Sequence, residues 1–315
     1  MVGHAALRRR ELLSALSAAL LAQAAAPLAR AQHAGAPAPR LEWSDLGDGA
    51  GVVAGAGANV VVVPTTAGLV MVDGGLAARS PALLELIARR FPGEPVRMLF
   101  NTNWRPEHTG SNEALSAAGA RILAHENTKL WIGGDFFVPW ENRHYPPRPR
   151  AAWPTETFYV SGETALGGEP IRYEYLPRAH TDGDVAVLFP ERNLLVASDL
   201  LAVDRYPIPD YATGGWIRGL EEATAALLEL SDEETRIVPA HGPVATRAAL
   251  EAQLTLCETV SEGIAAALRR GASLEDFRAM KPTAEFDARY GDPELFLALV
   301  YKGALGHVRE LGGII

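Results

Sequence analysis

The stretch Asn101-Thr-Asn-Trp-Arg-Pro-Glu-His-Thr-Gly-Ser-Asn112 follows the apolar run Val96-Arg-Met-Leu-Phe100, which reads as a buried strand ending at a turn. Four more polar clusters repeat the pattern. Asp73-Gly-Gly75 follows Leu69–Val72, and His180-Thr-Asp-Gly-Asp184 comes after Ile171–Leu176. Asp199 ends the run that begins at Leu194, and Pro239-Ala-His-Gly242 closes the run from Arg236. A residue in such a place lies where the chain leaves a sheet. Side chains from several strand ends can converge on one point at the edge of a sandwich. The imidazole and carboxylate groups carried there suit zinc, and also iron or manganese.

The hydrophobic spacing around these clusters reads as two strand-and-helix blocks. The first holds Val60–Val63 and Leu69–Val72, joined through the hairpin-like turn Pro64–Gly68. A helix over 81–90, the strand before Asn101, a helix over 112–118 and a strand over 121–125 complete it. The second holds strands at 171–176, 185–189, 194–197 and 236–239, a helix from about Ile217 to Leu230, and helices from Thr246 onward. Strands in both halves, with helices between and after them, imply an α/β fold in which two sheets pack face to face with helices outside. Residues 126–156 break the pattern with Trp131, Trp140, Trp153 and several prolines. Such an excursion is either a lid or substrate wall, or an insertion packed on the core.

Arg8-Arg-Arg10, an Ala/Leu stretch to about Leu28 and Ala29-Arg-Ala31 have the order of a cleaved export signal. The paired arginines before Glu11-Leu-Leu13 resemble a twin-arginine signal, so the mature protein is expected in the periplasm or secreted. The expected organisation is a signal over 1–31, a linker over 32–45 and a single domain over 46–315. Removing residues 1–31 takes away four arginines and Glu11, so 29 basic and 38 acidic residues become 25 and 37. That acidic balance argues against nucleic acid and anionic membrane as partners and leaves a small molecule. The Ala-rich segment, broken by Gln23, is weak for a membrane span. Cys257 is the only cysteine, so no intrachain disulfide or thiolate cluster exists, and its helical setting suits a buried apolar role.

The five clusters, in this order over residues 52–243, resemble the metallo-β-lactamase superfamily. Its loop reads N-T-H-x-H-x-D-H-x-G-G-N, followed by H-T-x-G-D, a bridging Asp and P-G-H-G. The resemblance implies an αββα sandwich of two mixed sheets flanked by helices. It places the first-metal ligands at Asn103, Arg105 and His180, and the second-metal ligands at Glu107, His108, Asp199 and His241. Asp73, Asn103 and Asp184 fall beside or behind them. Arginine stays protonated and asparagine is a weak neutral ligand, so the first position is degenerate. The second keeps two imidazoles and two carboxylates.

Two roles for Arg105 follow. Either its guanidinium lies near Asp199 and stands in for the first metal, with His180 as general acid or base, or it forms an internal salt bridge to Glu107 or Asp199. The expected function is hydrolysis of a small ester, amide, lactone or phosphoester by one metal-bound water, the metal being zinc, iron or manganese. The alternative is a metal-free, catalytically inactive binding protein. β-Lactam hydrolysis is not favoured, since none of these residues is specific for the drug. His125, His144 and His307 are expected at the surface or in packing, with His144 a candidate substrate contact. Asp182, Asp184 and Tyr206–Tyr211 either line the pocket or serve in turns.

Overall fold

The computed structural model describes residues 39–310, and the expected export signal lies outside them. Among the described residues, fourteen strands form two large sheets and a small hairpin. The first sheet runs in the order β1 (Glu42–Gly47), β2 (Ala50–Ala54), β3 (Val60–Thr65), β4 (Gly68–Val72), β5 (Val96–Phe100), β6 (Arg121–His125) and β9 (Glu156–Phe158). Pairing is antiparallel from β1 to β4 and parallel from β4 to β9. The second sheet runs β10 (Gly162–Leu166), β11 (Glu169–Tyr175), β12 (Val185–Phe189), β13 (Leu194–Ser198) and β14 (Arg236–Pro239). Only its last pair is parallel. Parallel neighbours bring the ends of β4, β5 and β6 to one edge, and β13 and β14 do the same in the second sheet.

Alternation along the strands sorts side chains into layers. Val61, Val63, Val70, Val72 and Phe100 meet Val185, Val187, Phe189 and Val196 between the two sheets. Val60, Val62, Met71 and Leu99 point the other way, onto Leu83 and Ile87 of the helix Ser80–Arg90. That helix starts where Pro81 fits the first turn, whose N–H groups need no intrahelical partner. On the far side of the second sheet, Leu188, Leu195 and Ile237 pack on the helices Ile217–Glu229 and Arg247–Arg269. Each such side chain contributes about 1.5–3 kcal/mol when fully buried, so the four-layer order follows from the pattern. Cys257 is buried in this outer layer. Among the described residues no helix is long and apolar enough to cross a membrane.

Two departures from the sequence reading appear. β1 begins at Glu42, so the end of the expected linker belongs to the sheet. The alternation there is weak because β1 is an edge strand with mostly exposed residues. The excursion at 126–156 is also more regular than expected. It holds the helix Glu126–Gly133 and the hairpin β7 (Phe136–Val138) with β8 (Arg143–Tyr145), and it ends in β9. Trp104, Ile132, Val138 and Tyr145 form its own buried cluster, with Trp131, Phe136, Trp140 and Trp153 packed around it. Those aromatics fold the segment onto the sandwich, and its Trp140 and Glu141 form one wall of the site cavity.

Candidate functional site

The loop after β5 is held shut by its own amides. Asn101 and Asn112 bond each other in both directions, at 2.8 and 3.1 Å, and Asn101 Nδ2 also donates to the His108 carbonyl. Gly110 sits so close to the β4 exit that a Cβ there would lie 2.1 Å from the Ala77 nitrogen. At that exit Asp73 takes a left-handed backbone, φ 65°, as does Ser198 at the end of β13, φ 51°. Both turns are uncommon for non-glycine residues, and they turn the chain at the two strand ends where the site forms. Asp73 Oδ1 accepts the Thr102 N–H at 2.9 Å, while Oδ2 accepts from Ser198 Oγ at 3.1 Å.

His108 is fully buried between two carboxylates. Its Nδ1 lies 2.9 Å from Asp73 Oδ2 and its Nε2 2.7 Å from Asp199 Oδ2. Burial opposes the imidazolium, but Asp73 and Asp199 outweigh it and hold the pKa well above the usual histidine value. Burial likewise opposes ionised Asp199, yet His180, His108 and His241 keep that carboxyl well below the ordinary range. Although close, the contact from His108 Nε2 is not aligned as a hydrogen bond. The His241 pKa is lowered by burial, which outweighs the pull of Asp199.

The residues expected for a first metal form a different structure. Asn103 Nδ2 donates to Asp199 Oδ2 at 2.9 Å, and Asn103 Oδ1 accepts the Arg105 N–H. Arg105 is 5 % exposed. It donates from Nε to His180 Nε2 at 3.1 Å, from Nη2 to Asp210 at 2.9 Å and from Nη1 to Glu141 at 2.5 Å. The rings of Trp104 and Trp140 lie 5.2 and 5.1 Å from its central carbon. Burial works against the charge, but Asp210, Glu141 and Glu107 outweigh it and raise the pKa, so the group is permanently cationic. His180 Nδ1 is 2.5 Å from the Ile208 carbonyl, which can only accept. The ring proton therefore sits on Nδ1, and the Nε2 lone pair is taken by Arg105.

These contacts correct two expectations. The partners of Arg105 are Glu141 and Asp210, where Glu107 or Asp199 was expected. His180 has both ring nitrogens engaged, so in this arrangement it has no lone pair left to serve as a base. Asn103, Arg105 and His180 do not fit a cation: one position presents N–H groups to Asp199, one is itself a cation, and the third is capped by it. Of the second set, Glu107, Asp199 and His241 line a cavity of about 230 Å³, with His108 buried behind Asp199. The donor chemistry suits a metal. Among the described residues, however, no group of three or more His, Cys, Asp or Glu is gathered to hold one.

The remaining candidates take structural parts. His125 stacks on Tyr175 at 3.8 Å and accepts the Asn127 N–H that opens the following helix. His144 is on the exposed hairpin against Asp135, and His307 packs on Trp216. Asp184 accepts from both Thr181 N and Oγ1, and burial pushes its carboxyl up to about 7. Sequence reasoning singled out neither Glu141 nor Arg205 on the cavity wall, whereas Trp140 lies in the excursion read as a lid or substrate wall; no pairing of Asp210 with Arg105 was expected. Asp210 lay in the flagged stretch 206–211. Nothing local marked Glu141, which reaches Arg105 only because the hairpin folds back.

A site of strand-end residues at the rim of two packed sheets defines the class, and comparison with known proteins agrees. The chain belongs to the metallo-beta-lactamase superfamily, whose sequence model matches residues 53–241. A curated relative is the 2,4-dinitroanisole O-demethylase subunit alpha of Nocardioides sp. (strain JS1661), 28 % identical over 193 residues. That match covers 61 % of this chain and 54 % of the relative, so the chain spans about half the relative's length. Among solved structures, a metallo-beta-lactamase from Pontibacter korlensis has a TM-score of 0.56 at 20 % identity, covering 70 % of this chain and 99 % of its own. The inverting sec-alkylsulfatase Pisa1 from Pseudomonas sp. has a TM-score of 0.64 at 15 % identity, covering 84 % of this chain and 50 % of its own. At such identities the likeness shows the fold.

Proposed function

We propose that this chain is an exported member of the superfamily whose strand-end cavity binds a small polar molecule without a bound metal. The Arg105 contacts carry the reading. Where the superfamily would gather imidazoles around a dication, a guanidinium donates to the one imidazole left and is neutralised by Glu141 and Asp210. The neighbouring Asn103 amide satisfies Asp199. In this network Arg105 fills the place of a first cation, and each of its side-chain donors has an acceptor. The cavity's 230 Å³ lies below the roughly 300–1,000 Å³ of drug-sized pockets, so its occupant is small. Arg205, exposed on the cavity wall and attracted to Asp199, supplies a polar handle there. Export rests on Arg8-Arg-Arg10 and the Ala/Leu segment after it.

Metal analysis of the purified mature protein tests this, with an ester, amide, lactone and phosphoester panel run before and after chelation. The reading expects no stoichiometric metal after reconstitution with zinc, iron(II) or manganese(II), and no chelator-sensitive turnover. A small-fragment screen should give saturable binding that Arg205→Ala weakens. One equivalent of metal with chelator-sensitive turnover would overturn it.

A second reading, a one-metal hydrolase, is favoured by one specific feature. His108 Nε2 is buried and unaligned beside Asp199, as two ligands aimed at a common third atom would be. The residues that would hold the metal are Glu107, His108, Asp199 and His241. A metal bound there supplies a water of lowered pKa. Similarity to an O-demethylase subunit and to an alkylsulfatase also speaks for catalysis, and the same experiment separates the two readings.

A further inference from the structure

Asp182 of the His180–Asp184 loop helps to line a second, open cleft of about 260 Å³. Asn127, Leu130, Trp131, Asp135, Phe136 and Asp182 form its walls, and the two charged side chains among the lining residues are both acidic. Trp131 and Phe136 meet edge to face, ring centroids 4.7 Å apart, and Leu130 is 62 % exposed at the rim.

Asp182 is built in rigidly. Its Oδ1 accepts the Trp131 indole N–H at 2.7 Å, and its carbonyl accepts from Asn127 Nδ2 at 2.9 Å and Tyr175 OH at 3.0 Å. Its own N–H donates to the Thr213 carbonyl at 2.8 Å. The carboxylate is thus fixed at the edge of an aromatic wall. Arg178 offsets part of its charge without lining the cleft. Asp135, at the exposed end, touches His144.

An aromatic surface next to a fixed carboxylate attracts organic cations through the ring quadrupole and direct charge, and it repels anions. We propose that this cleft binds a small organic ammonium ion, with the ammonium head at Asp182 and its alkyl groups against Trp131 and Phe136. The proposal is independent of whether the neighbouring cavity holds a metal. Nothing in the first or second ligand set enters it.

The test uses choline as probe and 3,3-dimethylbutan-1-ol as its uncharged isostere, titrated into the full chain by calorimetry and ligand-observed NMR. Choline should bind saturably with Kd below roughly 10 mM, and the alcohol at least about tenfold more weakly, which corresponds to about 1.4 kcal/mol. Asp182→Asn keeps an acceptor for Trp131 and should weaken choline about tenfold without affecting the alcohol. Should Asp182→Asn fail to fold, the exposed Asp135→Asn supplies the second variant, with a smaller loss expected. Equal affinity for the two probes, no choline binding at that concentration, or unchanged binding in the folded variants would overturn the proposal.

Discussion

Removing the Arg105 side chain should be among the most costly single truncations in this protein. The side chain is 6 % exposed, with partners Glu141 at 17 % and Asp210 at 0 %. Breaking a buried pair costs about 3–5 kcal/mol, because the partner charge is left uncompensated. Here the lower end applies. Asp210 keeps the Trp140 indole at 2.7 Å and the Thr213 hydroxyl at 2.8 Å, and Glu141 keeps the Tyr145 hydroxyl. Arg105→Ala should therefore cost about 3 kcal/mol, and the midpoint should fall by roughly 6–12 °C at about 2–4 °C per kcal/mol for a domain of this size. Urea unfolding followed by far-UV CD gives the free energy. Near-UV CD reports Trp104 and Trp140, which lose the cation between them. Arg105→Met combined with Glu141→Gln and Asp210→Asn should recover at least half of the loss, since the charges then disappear together. A single-mutant cost under about 1 kcal/mol, or no recovery in the triple variant, would refute the idea that the guanidinium ties the excursion to the site.

Gly110→Ala should destabilise by more than about 3 kcal/mol, since its Cβ would meet backbone atoms at 2.1–2.3 Å; a folded variant of unchanged midpoint would show that the loop can move aside. Asp184 should make stability decline as pH rises. Its folded pKa of about 7 lies above the unfolded value near 3.9, so the native state binds the extra proton. The group's contribution is fully present below about pH 4 and is lost toward pH 7, on the order of 4 kcal/mol. Asp184→Asn, which mimics the protonated carboxyl, should flatten that decline in urea melts across pH 4–8, and parallel wild-type and variant curves would count against it. Asn103→His with Arg105→His leaves three imidazoles, with His180, at the first-metal positions; retained zinc after desalting should rise toward one equivalent. No gain in zinc would show that these strand ends do not converge as the motif implies.

Much of the fold was legible in the chain. The short apolar runs Val60–Val63 and Leu69–Val72 read as strands, and in the fold their successive side chains go to different layers, as a side-chain period of two requires. The clusters at Asp73, Asn101–Asn112, His180, Asp199 and His241 named the strand ends that meet. Less legible were β1, whose mostly exposed residues carry little alternation, and the hairpin within 126–156, where aromatic contacts outweigh local propensity.

The sequence by itself determined the family and the layer order, and it placed asparagine and arginine, chemically poor ligands, at two first-metal positions of the superfamily. It could not say what fills the place. Only the tertiary structure decided that Arg105 pairs with Glu141 and Asp210, residues 36 and 105 positions away in the chain, and caps His180. Charge pairing acts over a few ångströms of space and leaves no periodic trace along the chain. The partner of a buried cation therefore becomes visible only once the hairpin and the 206–211 loop have folded against it.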